Sequence, residues 1–109
     1  MKFIELIKYL QDESTLEKFY LENNISFEEE SPLAYMENEL HIDSEIHLFM
    51  LEETEDEVLI EKSGKRFIQL FPLDLGVEFY SYFEEEFEKW KYTEEQKAIR
   101  LLKYRLNDA

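Results

Sequence analysis

The alternation of residues 39–51 constrains the fold more than any other feature. Odd positions from 39 to 47 are polar or charged, and even positions from 40 to 50 are apolar apart from Ser44. Successive side chains of an extended chain point to opposite faces, so a period of two indicates one half-buried strand or two short collinear strands. We therefore expect a β-sheet with one face turned towards a core.

Two further segments predict strands that pair with this one. Residues 58–62 and 66–71 are short and largely apolar, and Pro72 ends the second of them. Gly64 lies between them and can adopt a positive φ without steric cost, which favours a tight turn. Short connections join strands antiparallel, so we predict a three- to four-stranded antiparallel β-meander, with residues 25–27 as an additional edge strand.

Helical patterns flank these strands on both sides. Apolar side chains recur every three or four residues in four segments: residues 2–11, 15–22, 74–92 and 94–107. Ser14 with Glu17, and Thr93 with Gln96, have the spacing of capping boxes that begin helices. Asp74 is a further candidate helix cap. These segments predict two helices before the sheet and two after it.

Residues 31–38 fit two structures. Ser31-Pro32 is a favourable helix start, and the apolar side chains that follow share one helical face. The same residues also suit an extended segment that leads directly into the strand. In either case the order of elements predicts an α+β fold, in which N-terminal and C-terminal helices pack on an antiparallel sheet. The length predicts a single domain over residues 1–109.

Charge is the most unusual property of the chain. Its 27 acidic residues and 12 Lys or Arg give a formal net charge of −15. Residues 1–60 carry 17 acidic residues and 3 lysines, for −14, whereas residues 61–109 carry 10 acidic and 9 basic residues, for −1. A negative field repels nucleic acids and anionic membranes and attracts cationic proteins. We therefore expect a basic protein partner, and neither nucleic acid nor membrane.

Three further features of the sequence indicate where in the cell the protein is located. The chain contains no cysteine, which excludes disulfides, thiol catalysis and thiolate metal sites. Charged side chains interrupt the apolar pattern of residues 1–8, unlike a secretion signal. The longest apolar run, residues 48–51, is too short to span a bilayer. Together these features predict a cytoplasmic protein.

Two histidines raise the question of a metal site. His41 and His47 share the polar face of the alternating segment with Asp43 and Glu45, and imidazole and carboxylate groups suit Zn or Mn. However, residues six positions apart on a straight strand are about 20 Å apart, so only a chain reversal near Asp43-Ser44 would bring both histidines to one ion. We predict no metal and no cofactor.

No motif in the sequence supports catalysis. The chain has no G-x-S-x-G, no phosphate-binding glycine loop and no H-E-x-x-H. With 27 acidic residues, carboxylate pairs at the separations used by glycosidases arise by chance. We predict that the protein is not an enzyme. A metal-dependent enzyme that uses His41, His47 and nearby carboxylates is the least favoured alternative.

Two dense acidic clusters are the candidate partner-binding residues: Glu28, Glu29, Glu30, Glu52, Glu53, Glu55, Asp56 and Glu57. Around an exposed aromatic such as Phe27 or Tyr35, they would form a charged rim about an apolar anchor. The alternative is that they only keep the chain soluble. The net charge of −15 exceeds the magnitude of about 2–8 that suffices for a small soluble domain, which favours binding.

The aromatic segment at residues 79–90 is the last candidate surface. Its Phe, Tyr and Trp side chains cover more than one helical face, so one side is predicted to be core and the other a partner groove or a homodimer contact. We expect a monomer or a homodimer. Together, small size, acidity and the lack of catalytic motifs are typical of stoichiometric neutralisers of basic proteins, such as immunity proteins and antitoxins. A non-enzymatic adaptor domain is the main alternative hypothesis.

Overall fold

The computed structural model describes residues 1–26 and 31–108. Phe27 and the Glu28–Glu30 cluster lie outside the described residues, as does the end of the edge strand predicted at 25–27. The elements in chain order are α1 (Phe3–Leu6), a 3₁₀ turn (Ile7–Tyr9), α2 (Glu13–Glu22), β1 (Leu33–Glu37), β2 (Ile46–Phe49), α3 (Leu51–Thr54), β3 (Leu59–Lys62), β4 (Lys65–Pro72), α4 (Leu73–Lys89) and α5 (Glu94–Asp108). The predicted α+β class is confirmed.

The four strands form one antiparallel sheet in the order β2-β1-β4-β3. Two hairpins, β1–β2 and β3–β4, are joined by pairing of β1 with β4, so the connections differ from a simple meander, which would place β2 beside β3. The reason is burial. All four residues from Leu33 to Met36 are buried, and an apolar run without alternation belongs in the centre of a sheet.

Residues 31–38 and 39–51, which contain β1 and β2, differ most from the predicted structure. Within the ambiguous residues 31–38, Leu33–Glu37 form strand β1, not a helix. Of the alternating residues 39–51, only 46–49 form a strand. The chain instead turns at residues 41–44, where the Ser44 N–H donates to His41 O at 3.0 Å, and Asn38 adopts a left-handed φ of 69°. The alternation therefore arose partly from a polar turn.

The second hairpin has the predicted tight turn. Ser63 and Gly64 both have positive φ, 54° and 78°, and Lys62 pairs with Lys65 across them. Two central residues with positive φ define a type I′ turn, whose twist matches that of the strands it joins. The predicted strands at 58–62 and 66–71 are confirmed as β3 and β4.

Of the three predicted helix caps, one is confirmed and two are wrong. The Thr93 N–H donates to Gln96 Oε1 at 2.8 Å and the Gln96 N–H donates to Thr93 Oγ1 at 3.2 Å, which is the predicted capping box. The box at Ser14 is wrong, because α2 begins two residues earlier, where the Thr15 N–H donates to Asp12 Oδ1 at 2.8 Å. Asp74 is not a helix cap either, since α4 begins directly after Pro72.

The helices cover one face of the sheet. The main core joins α1, the 3₁₀ turn, α2, α4 and α5 to the inner side of β1, β2 and β4. A second, smaller cluster lies on the opposite face and consists of Leu33, Tyr35, Ile60 and Phe67, with Phe49 and Leu51 packed against it. Within the described part of the chain, no helix is long and apolar enough to cross a membrane.

Candidate partner-binding site

Residues 51–57, called the acidic turn below, hold the second predicted acidic cluster together. Its first half is α3, a single helical turn. The Glu53 carboxylate accepts the Met50 N–H at 2.7 Å and so caps its start. Thr54 is 4% exposed and Leu51 packs on the second cluster, so the turn rests on the sheet through these two side chains. Its carboxylates therefore point outwards.

The chain leaves α3 through two left-handed residues. Glu55 and Asp56 have φ of 54° and 59°, a conformation that costs an ordinary residue about 1–2 kcal/mol. Thr54 offsets part of this cost, because its Oγ1 accepts the Asp56 N–H at 3.2 Å and its carbonyl accepts the Glu57 N–H at 3.1 Å. This double reversal directs the chain from α3 into β3.

Two side chains of the central strands anchor the acidic turn. The hydroxyl of Tyr35, a fully buried residue of β1, donates to the carbonyl of Glu57. Gln69 of β4 donates from Nε2 to Asp56 Oδ1 at 2.9 Å and to Tyr35 Oη at 3.3 Å. The path of the backbone at Glu57 and the position of the Asp56 carboxylate are therefore set by the middle of the sheet.

The carboxylates of the turn meet β3 in a shallow open depression of about 350 Å³. Acidic side chains dominate its lining: Glu52, Glu53, Glu55, Glu57 and Glu61. Among the described residues, none of these five is ion-paired with a Lys, Arg or His. Lys62 also lines the depression, but its Nζ lies 5.5 Å from the centre of the Phe49 ring. The site therefore keeps a strong negative potential.

The apolar part of this surface differs from the prediction. Tyr35 was expected to be an exposed anchor, and this is wrong, because the side chain is fully buried under the turn. The exposed apolar residues are instead Val58 and Leu59, 54% and 53% exposed, where the turn passes into β3. No local pattern predicted their exposure, because apolar residues are exposed here only through the edge position of β3.

The two histidines have separate partners. His47 Nε2 lies 3.3 Å from Glu37 Oε2, and His41 Nδ1 lies 3.8 Å from Asp43 Oδ2. The chain does reverse at residues 41–44, as convergence would require. Even so, no group of three or more His, Asp or Glu side chains in residues 1–26 and 31–108 is arranged to hold a metal ion.

The aromatic segment of α4 is divided as predicted between core and surface. Tyr80 and Phe87 are buried, whereas Tyr82 and Trp90 are 64% and 66% exposed. Cations of α5 pack on its buried side. The Lys97 ammonium donates to Tyr80 Oη at 3.0 Å, and this hydrogen bond raises the pKa of Lys97 above its usual range.

Protein-family models, curated proteins and solved structures were all compared with the chain, and none gives a significant match.

Proposed function

We propose that this chain is a small, non-enzymatic acidic domain that binds and neutralises a basic protein stoichiometrically, as immunity proteins and antitoxins do. One observation carries the proposal. Tyr35 anchors the backbone of the acidic turn at Glu57 and Gln69 anchors the Asp56 carboxylate, yet no carboxylate of the turn is ion-paired with a described cation. We also propose a cytoplasmic location, which the cysteine-free sequence supports.

The proposed mechanism has two steps. The negative field of the acidic turn first attracts a cationic partner and orients it, which raises the rate of association. Contact then buries Val58 and Leu59, and desolvation of these side chains slows dissociation. Bound in this way, the domain covers a basic cleft of the partner and keeps substrate out.

A charge-matched pair of variants tests the proposal. The first carries Glu→Gln at four positions of the turn: 52, 53, 55 and 57. The control carries Glu→Gln at four exposed positions of α4 and α5: 84, 85, 88 and 95. Immobilised wild type is used to isolate partners at low salt, and the partner is identified by mass spectrometry. Its affinity for all three proteins is then measured by calorimetry.

We expect the wild type to bind a protein of high isoelectric point, with an affinity that falls as salt rises, since the Debye length is about 8 Å at 0.15 M. The turn variant should lose at least tenfold in affinity and the control much less. Equal losses in both variants would show that only total charge matters. Failure to isolate any basic protein would overturn the proposal.

An adaptor role is the second candidate, and the exposed side chains of Tyr82 and Trp90 favour it. An adaptor of this kind would bind through apolar contacts, so its affinity would change little with salt. The double variant Tyr82→Ala, Trp90→Ala would abolish that binding, whereas the turn variant would leave it intact. The two candidate functions therefore predict opposite results with the same proteins.

A further inference from the structure

The two edges of the sheet differ in how they are covered. The outer edge of β2 is partly paired by the N-terminus, because the Ile46 N–H donates to Met1 O at 2.8 Å and Lys2 forms a bridge with Glu45. Lys2 Nζ also donates to Asp43 O at 2.8 Å. No residue of the described chain covers β3 in this way.

The register between β3 and β4 determines which backbone groups of β3 point away from the sheet. The Gln69 N–H donates to Val58 O at 2.8 Å, so Val58 directs its polar groups towards β4. Groups of successive residues alternate in direction along an antiparallel strand, which turns Ile60 towards β4 as well. The N–H and C=O groups of Leu59 and Glu61 therefore point away from the sheet, and no residue in 1–26 or 31–108 outside this hairpin bonds to them.

We infer that β3 is a docking edge, on which a basic partner adds an extended segment as a fifth strand of the sheet. This inference rests on the proposed function and specifies the conformation of the partner. Strand addition provides hydrogen bonds from the backbone, and side-chain contacts then provide specificity. Here up to four hydrogen bonds are available from Leu59 and Glu61, beside the exposed apolar side chains of Val58 and Leu59.

The charges along this edge select the occupant. The acidic turn lies at the beginning of β3, so a docked segment must carry Lys or Arg where it passes Glu55 and Glu57. The hairpin at the other end is basic, with Lys62, Lys65 and Arg66. The cationic residues of the segment therefore belong at one end of it. A second copy of this chain is disfavoured by the net charge of −15 on each molecule.

A pair of substitutions at one residue separates backbone pairing from charge. Glu61→Pro removes both the carboxylate and the outward N–H, whereas Glu61→Gln removes only the carboxylate. Proline is tolerated on an edge strand where its nitrogen faces solvent, so β3–β4 pairing should persist in the proline variant, which circular dichroism checks. The probe is a blocked peptide, Lys-Val-Lys-Val-Thr-Val-Thr, titrated by fluorescence anisotropy.

We expect Glu61→Pro to bind the peptide at least tenfold more weakly than Glu61→Gln. On the wild type, the peptide should slow amide hydrogen exchange at Leu59 and Glu61. The same peptide with alternate N-methylated residues has equal charge but fewer backbone donors, and it should give no such protection. This second measurement does not depend on the folding of any variant.

Three results would overturn the inference. Equal affinities for Glu61→Pro and Glu61→Gln would exclude edge pairing. If the variant with Glu→Gln at positions 52, 53, 55 and 57 loses binding of the basic partner and Glu61→Pro does not, the proposed function stands but strand addition is excluded. Protection of Leu59 and Glu61 in the absence of peptide, with a dimer in analytical ultracentrifugation, would make a second copy the occupant.

Discussion

The acidic turn and the α4–α5 region use their charges in opposite ways. In α4 and α5 several charges serve the fold: Arg100 Nε lies 3.1 Å from Glu86 Oε2, and Lys97 is held by Tyr80 and lies 3.6 Å from Glu94. In the acidic turn, no carboxylate lies within ion-pair distance of a described cation. Several cations of α5 are thus paired within the molecule, whereas the carboxylates of the acidic turn face solvent without an ion pair to a described cation.

This difference assigns separate roles to the two sets of charges. A cation that bonds a buried carbonyl or a ring face contributes to stability in its own molecule, so its charge is less available to a partner. Carboxylates with no internal partner repel one another, and this repulsion costs free energy that only an external cation can recover. The comparison therefore predicts that cations of α5 matter for folding, whereas carboxylates of the turn matter for binding.

Arg105 tests most directly whether cations of α5 stabilise the fold. The register between β1 and β4 shifts at Ala34, which leaves Leu70 without a direct partner, and Arg105 donates to Leu70 O at 2.9 Å and Gln69 O at 3.0 Å. Arg105→Met should lower the free energy of unfolding by about 1.5–3 kcal/mol, since hydrogen bonds from a charged group to partly buried carbonyls are lost. Urea denaturation measures this. Lys103→Met, an exposed neighbour on α5, should change stability by less than about 0.5 kcal/mol.

Gly76 tests the contact between α4 and the sheet. A Cβ at this position would lie 2.7 Å from Phe71 Cε1, inside a buried cluster of rings. Ala normally stabilises a helix interior over Gly by about 1 kcal/mol, but here the clash should dominate and destabilise the fold by about 1–2 kcal/mol. Ser81→Ala in the exposed part of α4 is the matched control. A stabilised Gly76→Ala variant would show that the Phe71 ring moves aside freely.

Tyr35 tests the anchoring of the acidic turn. Tyr35→Phe keeps the ring but removes the hydroxyl that donates to Glu57 O, which should cost about 1 kcal/mol. We expect faster amide exchange in residues 54–57 and weaker binding of the basic partner, with the α4–α5 region unchanged. Tyr82→Phe, at an exposed position, should alter neither property. Uniform loss of protection across the chain would indicate that Tyr35 acts only through global stability.

Substitutions of Glu55 test whether its left-handed conformation lowers the stability of the fold. Glu55→Gly and Glu55→Ala both remove the carboxylate, but only glycine adopts a φ of 54° without steric cost. The glycine variant should therefore be more stable than the alanine variant by about 1 kcal/mol. Both should bind the partner less tightly than the wild type. Equal stabilities would mean that the left-handed conformation is not costly here.

The sequence predicted elements whose signal is local. The Thr93–Gln96 capping box, the Ser63-Gly64 turn and the apolar stripes of α4 and α5 each depend on neighbours a few residues apart, and all are found. The position of β1 could not be predicted in the same way. Its apolar run suits a helix face or a central strand, and pairing with β4, thirty or more residues later, decides between them.

The candidate site was predictable only in part. The density of carboxylates at residues 52–57 was evident from the sequence, and the structure places them together on one turn. Their anchoring by Tyr35 and Gln69 depends on the strand order, and so does the exposure of Leu59, because both follow from β1 lying at the centre and β3 at the edge. The apolar run of β1 is typical of a central strand, but no local pattern identifies β3 as the edge.

Substitution of Glu45 should have the least effect on stability of these variants. It is also an internal control, because Glu45 is a carboxylate of residues 1–60 that does have a cationic partner. The Met1 ammonium donates to Glu45 Oε2 at 3.0 Å, and this hydrogen bond lowers the pKa of Glu45 from its usual value of 4.5. A carboxyl group with a lowered pKa in the folded state stabilises the fold above its unfolded pKa, and the contribution is lost as pH falls through the folded pKa. The difference in urea midpoint between wild type and Glu45→Gln should therefore be constant near neutral pH and shrink below about pH 4.5. At neutral pH, Glu52→Gln in the acidic turn should not lower the urea midpoint, since Glu52 has no cationic partner among the described residues and its neutralisation relieves repulsion within the turn.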